Sequence, residues 1–531
     1  MAFYEPVNVL QHYLSGAYSV IPFSSMVWKY EDARKLLGAL ENIDHIDGAK
    51  HCSESRMYLR QWLIAMNMCI ACLTTGLAHG HGAILLQQLK PTAANDTTSL
   101  LLERGEMFGK PEIVVDSVDF QSWIVSLMLL FGCPGCWALT AFSKFVGRRK
   151  IALFSLALYT ISWIMIAFAD GPYQVMIGRS LSGFCISLLS GLISAYQGEL
   201  ALPRLRSTLN TFQTTSLYLG IGLTHAVGIW FHWRTTALFC GVVTFIALLM
   251  NFLTPESPIW LLNKNRFPEA IRSWTYLRGI RDLDELKSLH VKLARQSSIT
   301  GTKSNRRNHK GLLSATFLKP LGILLALFAV GQMSGMGAVM YYCIQMMTDI
   351  AGPERAYIPT LILDTFRIAA SICVPILTRR YCTRHIMLAS VFNTSIFLVL
   401  LSGCIYFKIW APWIALIVFF AYEAAVSMGL GGLPWTFCSE LFPGSHKEIG
   451  ISIVINFYYA MFFLFVKTSP YILALLQPWG SFLFFGLMTF ASWIVLYLIL
   501  PNTKNKSLKE IELMFSNGGT VDKQSRNILQ R

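Results

Sequence analysis

The chain has 531 residues, of which 54% are hydrophobic and only 14% are charged. Soluble globular proteins carry about 25% charged residues, so this composition argues against a soluble protein. The formal net charge is +15, but the basic residues gather in alternate loops, which is typical of a membrane protein and not of a nucleic-acid-binding one.

Twelve apolar blocks follow one another along the chain, each of roughly 20 residues, the length that an α-helix needs to cross about 30 Å of hydrocarbon. They lie at about 62–87, 122–143, 151–169, 173–196, 209–231, 234–253, 318–345, 357–378, 386–407, 411–433, 449–474 and 479–500. The predicted fold class is therefore an all-α polytopic membrane protein with twelve transmembrane helices.

The loops predict the topology. The first 61 residues are mixed and polar, without a cleaved signal peptide. Lys and Arg are concentrated in loops 144–150, 255–313 and 379–385, which the positive-inside rule places in the cytosol together with both termini. Loop 88–121 then lies outside, where Asn95-Asp96-Thr97 is a candidate glycosylation site. We expect a multi-pass protein of the plasma membrane.

A long charged loop divides the twelve blocks six and six. Its first part has apolar residues at helical spacing among dense charge, which predicts short amphipathic cytosolic helices, and its later part is a polar linker. The expected regions follow from this division. They are a cytosolic segment 1–61, a six-helix bundle 62–254, a cytosolic linker 255–313, a six-helix bundle 314–500 and a cytosolic tail 501–531.

The two halves repeat one pattern of charge at their cytosolic helix ends, with matching positions about 240 residues apart, as expected for a duplicated six-helix unit. The members of this predicted cytosolic latch are Arg148, Arg149, Glu199, Arg206, Glu256, Arg384, Glu440 and Lys447. Ion pairs between them would hold the inner ends together when the protein faces outward. The alternative is a set of solvated charges worth about 0–1 kcal/mol each.

At about 60–516 the chain resembles the sugar porters of the major facilitator superfamily, the relatives of glucose transporters. The motifs that carry the resemblance are "GRR" at 147–149, "GRSLSGFCISLLSGLISAYQGELALPRLRSTL" at 178–209, "PESPIWLL" at 255–262, "GQMSGMGAVMYY" at 331–342, "GLGGLPWTFCSELFP" at 429–443 and "PNTKNKSLKEIE" at 501–512. "SMGLGGLPW", "FVKTSPY" and "DFQSWIVSLM" look most like the insect trehalose-transporter group.

The resemblance implies two bundles around a hexose- or disaccharide-type solute, with alternating access. It implies a substrate-binding set of Gln332, Gly337, Trp435, Gln213, Thr214, Gly331, Asp364 and Tyr459, and an outer gate of Tyr341 and Tyr342. Gly331 and Gly337 stand where the family has amide side chains, so polar partners on one face of the site are lost. The small residues of this seventh block also let the helix break or pack closely.

Asp364, Arg367 and Glu423 are charged residues that fall inside apolar blocks. Asp364 and Arg367 are three positions apart on one helical face, and Glu423 lies in the tenth block. Charges at this depth cost at least about 2.5 kcal/mol each, so they normally pair or face a water-filled cavity. A structural pair of Asp364 with Arg367 and a contact of Asp364 with substrate or a coupling proton both stay open.

No nucleophile–base set, nucleotide loop or metal cluster is evident, so we expect neither an enzyme nor a cofactor. His79 and His81 point in different directions, which favours packing or cavity lining over a metal site. The leading hypothesis is a facilitative sugar carrier in a lipid bilayer, functional as a monomer. The alternatives are a proton-coupled carrier using Asp364 or Glu423, a carrier of a non-sugar solute, and a non-transporting sugar sensor.

Overall fold

The structure is a computed structural model. It describes residues 54–90, 112–143, 145–200, 206–278, 314–352, 356–407, 412–442, 447–502, 510 and 514–515. Within these ranges the ordered elements are α-helices.

The N-terminal helices follow the first six predicted blocks. They are α1 (Glu54–Gln88), α2 (Val118–Leu130), α3 (Gly132–Phe142), α4 (Arg148–Ala167), α5 (Pro172–Leu200), α6 (Arg206–Trp230) and α7 (Trp233–Asn251). Two short helices come next, α8 (Pro258–Asn263) and α9 (Phe267–Arg278).

The C-terminal helices follow the last six predicted blocks. They are α10 (Ala315–Met333), α11 (Met336–Ala351), α12 (Tyr357–Arg380), α13 (Thr383–Phe407), α14 (Pro412–Met428), α15 (Leu433–Leu441) and α16 (Lys447–Ile499). The second, seventh and tenth predicted blocks are therefore each built from two helices in sequence.

Ten helices of the described chain are long and apolar enough to cross a membrane. One of them, Ile449–Ile499, has 51 residues and contains the last two predicted blocks. It is interrupted at Gln477, which has φ 59° and ψ 168° and precedes Pro478, because a residue before proline is held away from the helical region. With α6, which covers the fifth block, all twelve predicted blocks lie in helices, and the predicted fold class is confirmed.

Contacts divide the chain into two compact units, one of residues 1–62 with 255–309 and one of residues 63–254 with 310–531. In the smaller unit, Arg60 Nη1 donates to the Tyr276 carbonyl oxygen at 3.0 Å, and the guanidinium lies 4.3 Å from the centre of the Tyr276 ring. α9 buries Phe267, Ile271 and Trp274, which is the amphipathic pattern that the sequence predicted for this linker.

In the larger unit, two groups of contacts join the N-terminal and C-terminal helices. α6 packs along α12, and α2 and α3 pack against α16. Hydrogen bonds link both pairs, as Thr215 Oγ1 lies 3.0 Å from Ser371 Oγ and Thr140 Oγ1 lies 3.0 Å from Ser452 Oγ. The N-terminal and C-terminal helices of the larger unit therefore meet at these two seams, among other contacts.

Candidate functional site

The seventh predicted block breaks at Ser334–Gly335, between α10 and α11. Gly335 has φ 78°, a left-handed conformation that glycine adopts without steric cost. The Ser334 carbonyl oxygen accepts a hydrogen bond from Tyr422 Oη of α14 at 3.0 Å. The expectation that this stretch lets the helix break is confirmed, since α10 ends at Met333 and α11 begins at Met336.

A cavity of about 20 Å³ lies beside this break. It is lined by Leu327, Phe328, Gly331, Gln332, Met336, Leu430, Gly431, Pro434, Trp435 and Tyr458. Three predicted substrate-binding residues, Gly331, Gln332 and Trp435, are thus brought together, all on C-terminal helices. This volume admits about one water, so a larger solute enters only after neighbouring helices separate.

Gln332 is the polar centre of this cavity. Its side chain is 1% exposed, and neither its amide nitrogen nor its amide oxygen makes a hydrogen bond within the described chain. A Cβ on Gly337 would lie 2.8 Å from Gln332 Oε1 and 2.9 Å from the Phe462 ring, whereas a Cβ on Gly331 would meet nothing within 4 Å. Gly337 therefore makes room for the amide, and Gly331 leaves the cavity wall open.

Aromatic rings form the opposite part of the wall. The Trp435 ring is 38% exposed, and it packs edge-on against Phe328 at 5.0 Å and Tyr458 at 5.5 Å between ring centres. The ring of Tyr459, one of the predicted site residues, lies against Gly132 of α3, and its binding role stays a prediction. Its neighbour Tyr458 lines the cavity, because successive helical residues point about 100° apart.

Gln213 and Thr214 lie on α6 and are outside the lining of this cavity. Thr214 faces the loop between α14 and α15, where a Cβ on Gly432 would lie 3.8 Å from Thr214 Oγ1. Both residues thus stand on the N-terminal side of the seam, and their binding role stays a prediction.

The predicted outer gate joins the two groups of helices. Tyr341 Oη of α11 lies 2.7 Å from His79 Nδ1 of α1, and the His79 ring stacks on Phe462 at 5.9 Å. His81 turns the other way and lies 3.1 Å from the Trp233 carbonyl oxygen. The two histidines therefore point in different directions, as predicted, and the gate role of Tyr341 stays a prediction.

Tyr342 lines a second and larger cavity of about 310 Å³. Its wall also includes Lys90 at the end of α1, Gln121 of α2 and Asp349 of α11. Burial lowers the pKa of Lys90 from its ordinary value, and the Asp349 carboxylate opposes that shift. This cavity lies at the membrane side opposite the basic loops, so it is an outer vestibule under the predicted topology.

Next to the vestibule, an ion pair ties α2 to α16. Lys467 Nζ donates to the Asp119 carboxylate and to Ser122 Oγ at 2.7 Å, and it lies 4.4 Å from the Trp123 ring centre. Tyr471 Oη donates to the same carboxylate at 2.5 Å. We call these five residues the outer network.

Asp364, Arg367 and Glu423 form a buried chain of ion pairs with His225. Arg367 Nη1 donates to Asp364 Oδ1 at 3.0 Å, and Arg367 Nε donates to Glu423 Oε1 of α14 at 2.5 Å. The other Asp364 oxygen lies 2.6 Å from His225 Nδ1 of α6. The expected pair of Asp364 with Arg367 is confirmed, and Asp364 lies within this chain and outside the lining of both cavities.

A second buried cation lies among the N-terminal helices. Arg179 of α5 is 0% exposed, and its Nη1 donates to the Ala78 carbonyl oxygen at 2.8 Å. A Cβ on Gly82 would lie 2.9 Å from Arg179 Nη2 and 2.7 Å from the Tyr341 ring. A glycine at this point of α1 thus lets the arginine and the gate tyrosine lie side by side.

At the predicted latch, the two halves show equivalent bonds. Arg149 Nη2, in the first turn of α4, donates to the Phe252 carbonyl oxygen after α7 at 2.5 Å. Arg384 Nη2, in the first turn of α13, donates to the Tyr497 carbonyl oxygen near the end of α16 at 2.8 Å. Each hydrogen bond joins two helices within one half, at equivalent positions of the predicted repeat.

Other latch members are described only in part. Glu256 precedes α8 and accepts a hydrogen bond from the Ser257 amide at 3.0 Å, while Arg148 begins α4 and Glu440 lies in α15. The side chains of Glu199, Arg206 and Lys447 lie outside the described part of the structure, as does Asn95. The ion pairs of the latch and the glycosylation of Asn95 stay predictions.

Sequence reasoning missed His225, Arg179 and the outer network. His225 is an ionisable residue within the apolar block 209–231, and a residue of this kind is a functional candidate by default. Arg179 carries the same signal. Asp119 and Lys467 are 348 residues apart, so their pairing follows only from the packing of α2 against α16.

Comparison with known proteins gives one family and one fold. The family model described as "Sugar (and other) transporter" matches residues 82–515. The facilitated trehalose transporter Tret1 of Polypedilum vanderplanki is 28% identical over 402 residues, which cover 74% of this chain and 78% of that protein. The facilitated trehalose transporter Tret1 of Apis mellifera ligustica is 27% identical over 416 residues, or 75% and 80% of the two chains.

The solved structures that resemble this chain include the inward-open xylose transporter XylE from E. coli. That structure has a TM-score of 0.67 at 17% identity and covers 86% of this chain and 99% of its own. The proton:xylose symporter XylE bound to 6-bromo-6-deoxy-D-glucose has a TM-score of 0.67 at 18% identity and covers 87% and 100%. At this level of identity the likeness establishes a shared fold, that of the major facilitator superfamily.

Proposed function

Because this chain belongs to the sugar transporter family of the major facilitator superfamily, we propose that it carries a hexose or a disaccharide such as trehalose by facilitated alternating access. Membership of this family also makes it a multi-pass membrane protein and not an enzyme. The named relatives are trehalose facilitators, which supports the disaccharide. Transport of this kind makes and breaks no covalent bond, so the protein's task is to bind the sugar and to open one side at a time.

The observation that carries this proposal is the unpaired amide of Gln332 beside the Trp435 and Tyr458 rings. A buried amide without partners costs about 1–3 kcal/mol, and such groups mark a position where a ligand supplies the missing hydrogen bonds. Sugar hydroxyls both donate and accept, and the apolar face of a sugar ring packs on an aromatic ring. Gln332 and Trp435 thus offer the two kinds of contact that a sugar needs.

The geometry also supports alternating access. The central cavity of about 20 Å³ is too small for a sugar, so binding requires the N-terminal and C-terminal helices to separate. The outer network and the bond of His79 with Tyr341 join the two groups on the outer side. Opening these contacts would admit solute from the vestibule, and closing them would favour release to the cytosol.

The test is uptake of labelled trehalose, glucose, other hexoses and polyols into proteoliposomes that contain the purified protein. We expect at least one sugar to enter without accumulating above its external concentration, and Gln332→Ala to reduce that uptake. If no sugar is carried or bound, the chain carries a non-sugar solute or acts as a sensor, and the proposal is wrong.

A proton-coupled carrier is the second candidate, and the buried Asp364 and Glu423 favour it. An inward proton gradient would then drive sugar above its external concentration, and Asp364→Asn would abolish that accumulation. A facilitator reaches only equal concentrations with or without the gradient. Under either mode we propose a monomer in the plasma membrane, with both termini in the cytosol and two six-helix bundles at 62–254 and 314–500.

A further inference from the structure

The ion-pair chain of His225, Asp364, Arg367 and Glu423 crosses the seam between α6 and α12. The exposed fractions of these side chains are 1%, 2%, 1% and 2%. Because α6 belongs to the N-terminal helices and α12 and α14 to the C-terminal ones, the contact of His225 with Asp364 joins two parts that must move relative to each other during transport.

The charges of this chain do not balance without an extra proton. Asp364 and Glu423 bring two negative charges, and Arg367 brings one positive charge that a protein side chain of this type does not lose. If His225 is neutral, the cluster holds a net charge of −1 away from water, which is costly inside a membrane. One added proton makes the cluster neutral.

The geometry provides a place for that proton. His225 Nδ1 lies 2.6 Å from Asp364 Oδ2, a distance typical of a charge-assisted hydrogen bond. The other ring nitrogen, Nε2, lies 4.0 Å from Cys343 Sγ of α11, and sulfur accepts weak hydrogen bonds. An imidazolium ring therefore has an acceptor on each side.

Within the part of the chain that the structure describes, the groups that contact this cluster are uncharged thiols and phenols. Cys343 of α11 is a thiol, and the phenols of Tyr218 on α6 and Tyr422 on α14 interact with Glu423. Within the described chain, Glu423 Oε2 makes no hydrogen bond. A Cβ on Gly222 would lie 3.3 Å from the Asp364 Cβ, so α6 approaches α12 closely at this level.

We propose that His225 and Asp364 form a proton-binding site and that the bound proton holds α6 against α12. At low pH the cluster is neutral and the seam is tied. When the proton leaves, a net negative charge remains buried and the bond across the seam weakens. At neutral pH the folded protein therefore keeps a proton that the unfolded chain has released. The free energy of unfolding consequently falls as pH rises.

The main test measures thermal unfolding of the purified protein in detergent between about pH 5.5 and 9, at one heating rate. Glu423→Gln removes one negative charge, and the cluster is then neutral without the extra proton. One proton contributes about 1.4 kcal/mol per pH unit, which is about 1 °C in the thermal midpoint of a chain of this length. As pH rises, we expect the thermal midpoint of the wild type to fall more steeply than that of Glu423→Gln, by about 1 °C per pH unit.

Further variants separate this site from general effects of pH. His225→Gln keeps the net charge at −1 and should lower the midpoint most at low pH, and His225→Gln with Glu423→Gln should restore it. His385→Gln, at an exposed histidine of α13, is the control and should keep the wild-type slope. Equal slopes for the wild type and Glu423→Gln, or a His225→Gln variant as stable as the wild type at pH 6, would overturn the proposal.

The importance of this site for uptake rests on the proposed sugar transport, but the stability test does not. If the sugar panel fails and the slopes differ as expected, the proton site stands and only the transport assignment is lost. If a sugar is carried, its uptake at equal pH on both sides should depend on pH in the wild type and not in Glu423→Gln. Uptake with the same pH profile in both proteins would contradict the proposal.

Discussion

The unpaired amide of Gln332 predicts that one substitution will stabilise the protein and weaken sugar binding together. Met has nearly the volume of Gln and no polar atoms, so Gln332→Met removes a buried group that has no partner in the described chain. The cost of such a group is about 1–3 kcal/mol, and we take the lower end, because the cavity admits one water. With an unfolding entropy of about 2.1 cal/mol/K per residue, a gain of about 1 kcal/mol raises the thermal midpoint by about 1 °C.

The effect on binding has the opposite sign. One or two neutral hydrogen bonds to a sugar are worth about 0.5–1.5 kcal/mol each, so we expect the Kd to rise by about tenfold for each 1.4 kcal/mol lost. Equilibrium binding of a transported sugar to purified wild-type and Gln332→Met protein measures this change, and thermal unfolding of the same samples without sugar measures the gain in stability.

Gln88 is the matched control for this prediction. It is also a buried glutamine of the larger unit, but its Nε2 donates to the Gly228 carbonyl oxygen at 3.2 Å and its Oε1 accepts from the Trp233 amide at 2.6 Å. Gln88→Met should therefore lower the thermal midpoint by about 2 °C or more, because it leaves two backbone groups without partners. A Gln332→Met variant that loses as much stability as Gln88→Met, or that binds sugar like the wild type, would refute the reasoning.

Two other features lead to testable outcomes. Gly335→Ala should lower the free energy of unfolding by about 1–2 kcal/mol, because alanine is strained at φ 78° and its Cβ would lie 3.3 Å from the Phe485 ring. Gly322→Ala is the control, because its Cβ would meet nothing within 4 Å, and it should leave thermal stability unchanged or higher. Lys467→Met should open the vestibule more often, so that Gln345→Cys in its wall reacts several-fold faster with a membrane-impermeant thiol reagent. Lys467→Arg keeps the charge, so Gln345→Cys should react at the original rate in that background. Equal rates in the wild-type, Lys467→Met and Lys467→Arg backgrounds would show that the outer network does not restrict access to the vestibule.

Much of the fold was predictable because hydropathy depends on local composition. Block length gave the helices, and small residues in the seventh block predicted the break that Gly335 makes. The pair of Asp364 and Arg367 followed from a spacing of three residues, which puts side chains on one face of a helix.

The rest depends on packing between distant helices. His225 and Asp364 are 139 residues apart, and their contact exists only because α6 lies along α12. The choice between Tyr458 and Tyr459 as the cavity residue depends on helix rotation, which hydropathy does not determine for a helix buried on several sides. The closure of the central cavity is a property of one conformation, and a sequence encodes all conformations of the transport cycle at once.

The hydrogen bonds of Arg149 to Phe252 and of Arg384 to Tyr497 each join two helices of the same half. Each bond fastens the start of the third helix of a half to the end of its sixth, so a half resists fanning out. Under the proposed alternating access, displacement would then come from tilting each half about the middle of the membrane. Since the helix ends lie about 15 Å from that pivot, a tilt of about 10° moves each end by roughly 2.6 Å, and opposing tilts double the gap. Under the proposed sugar transport, small rotations of the two halves would thereby be enough to widen a cavity for one water into a passage for a sugar.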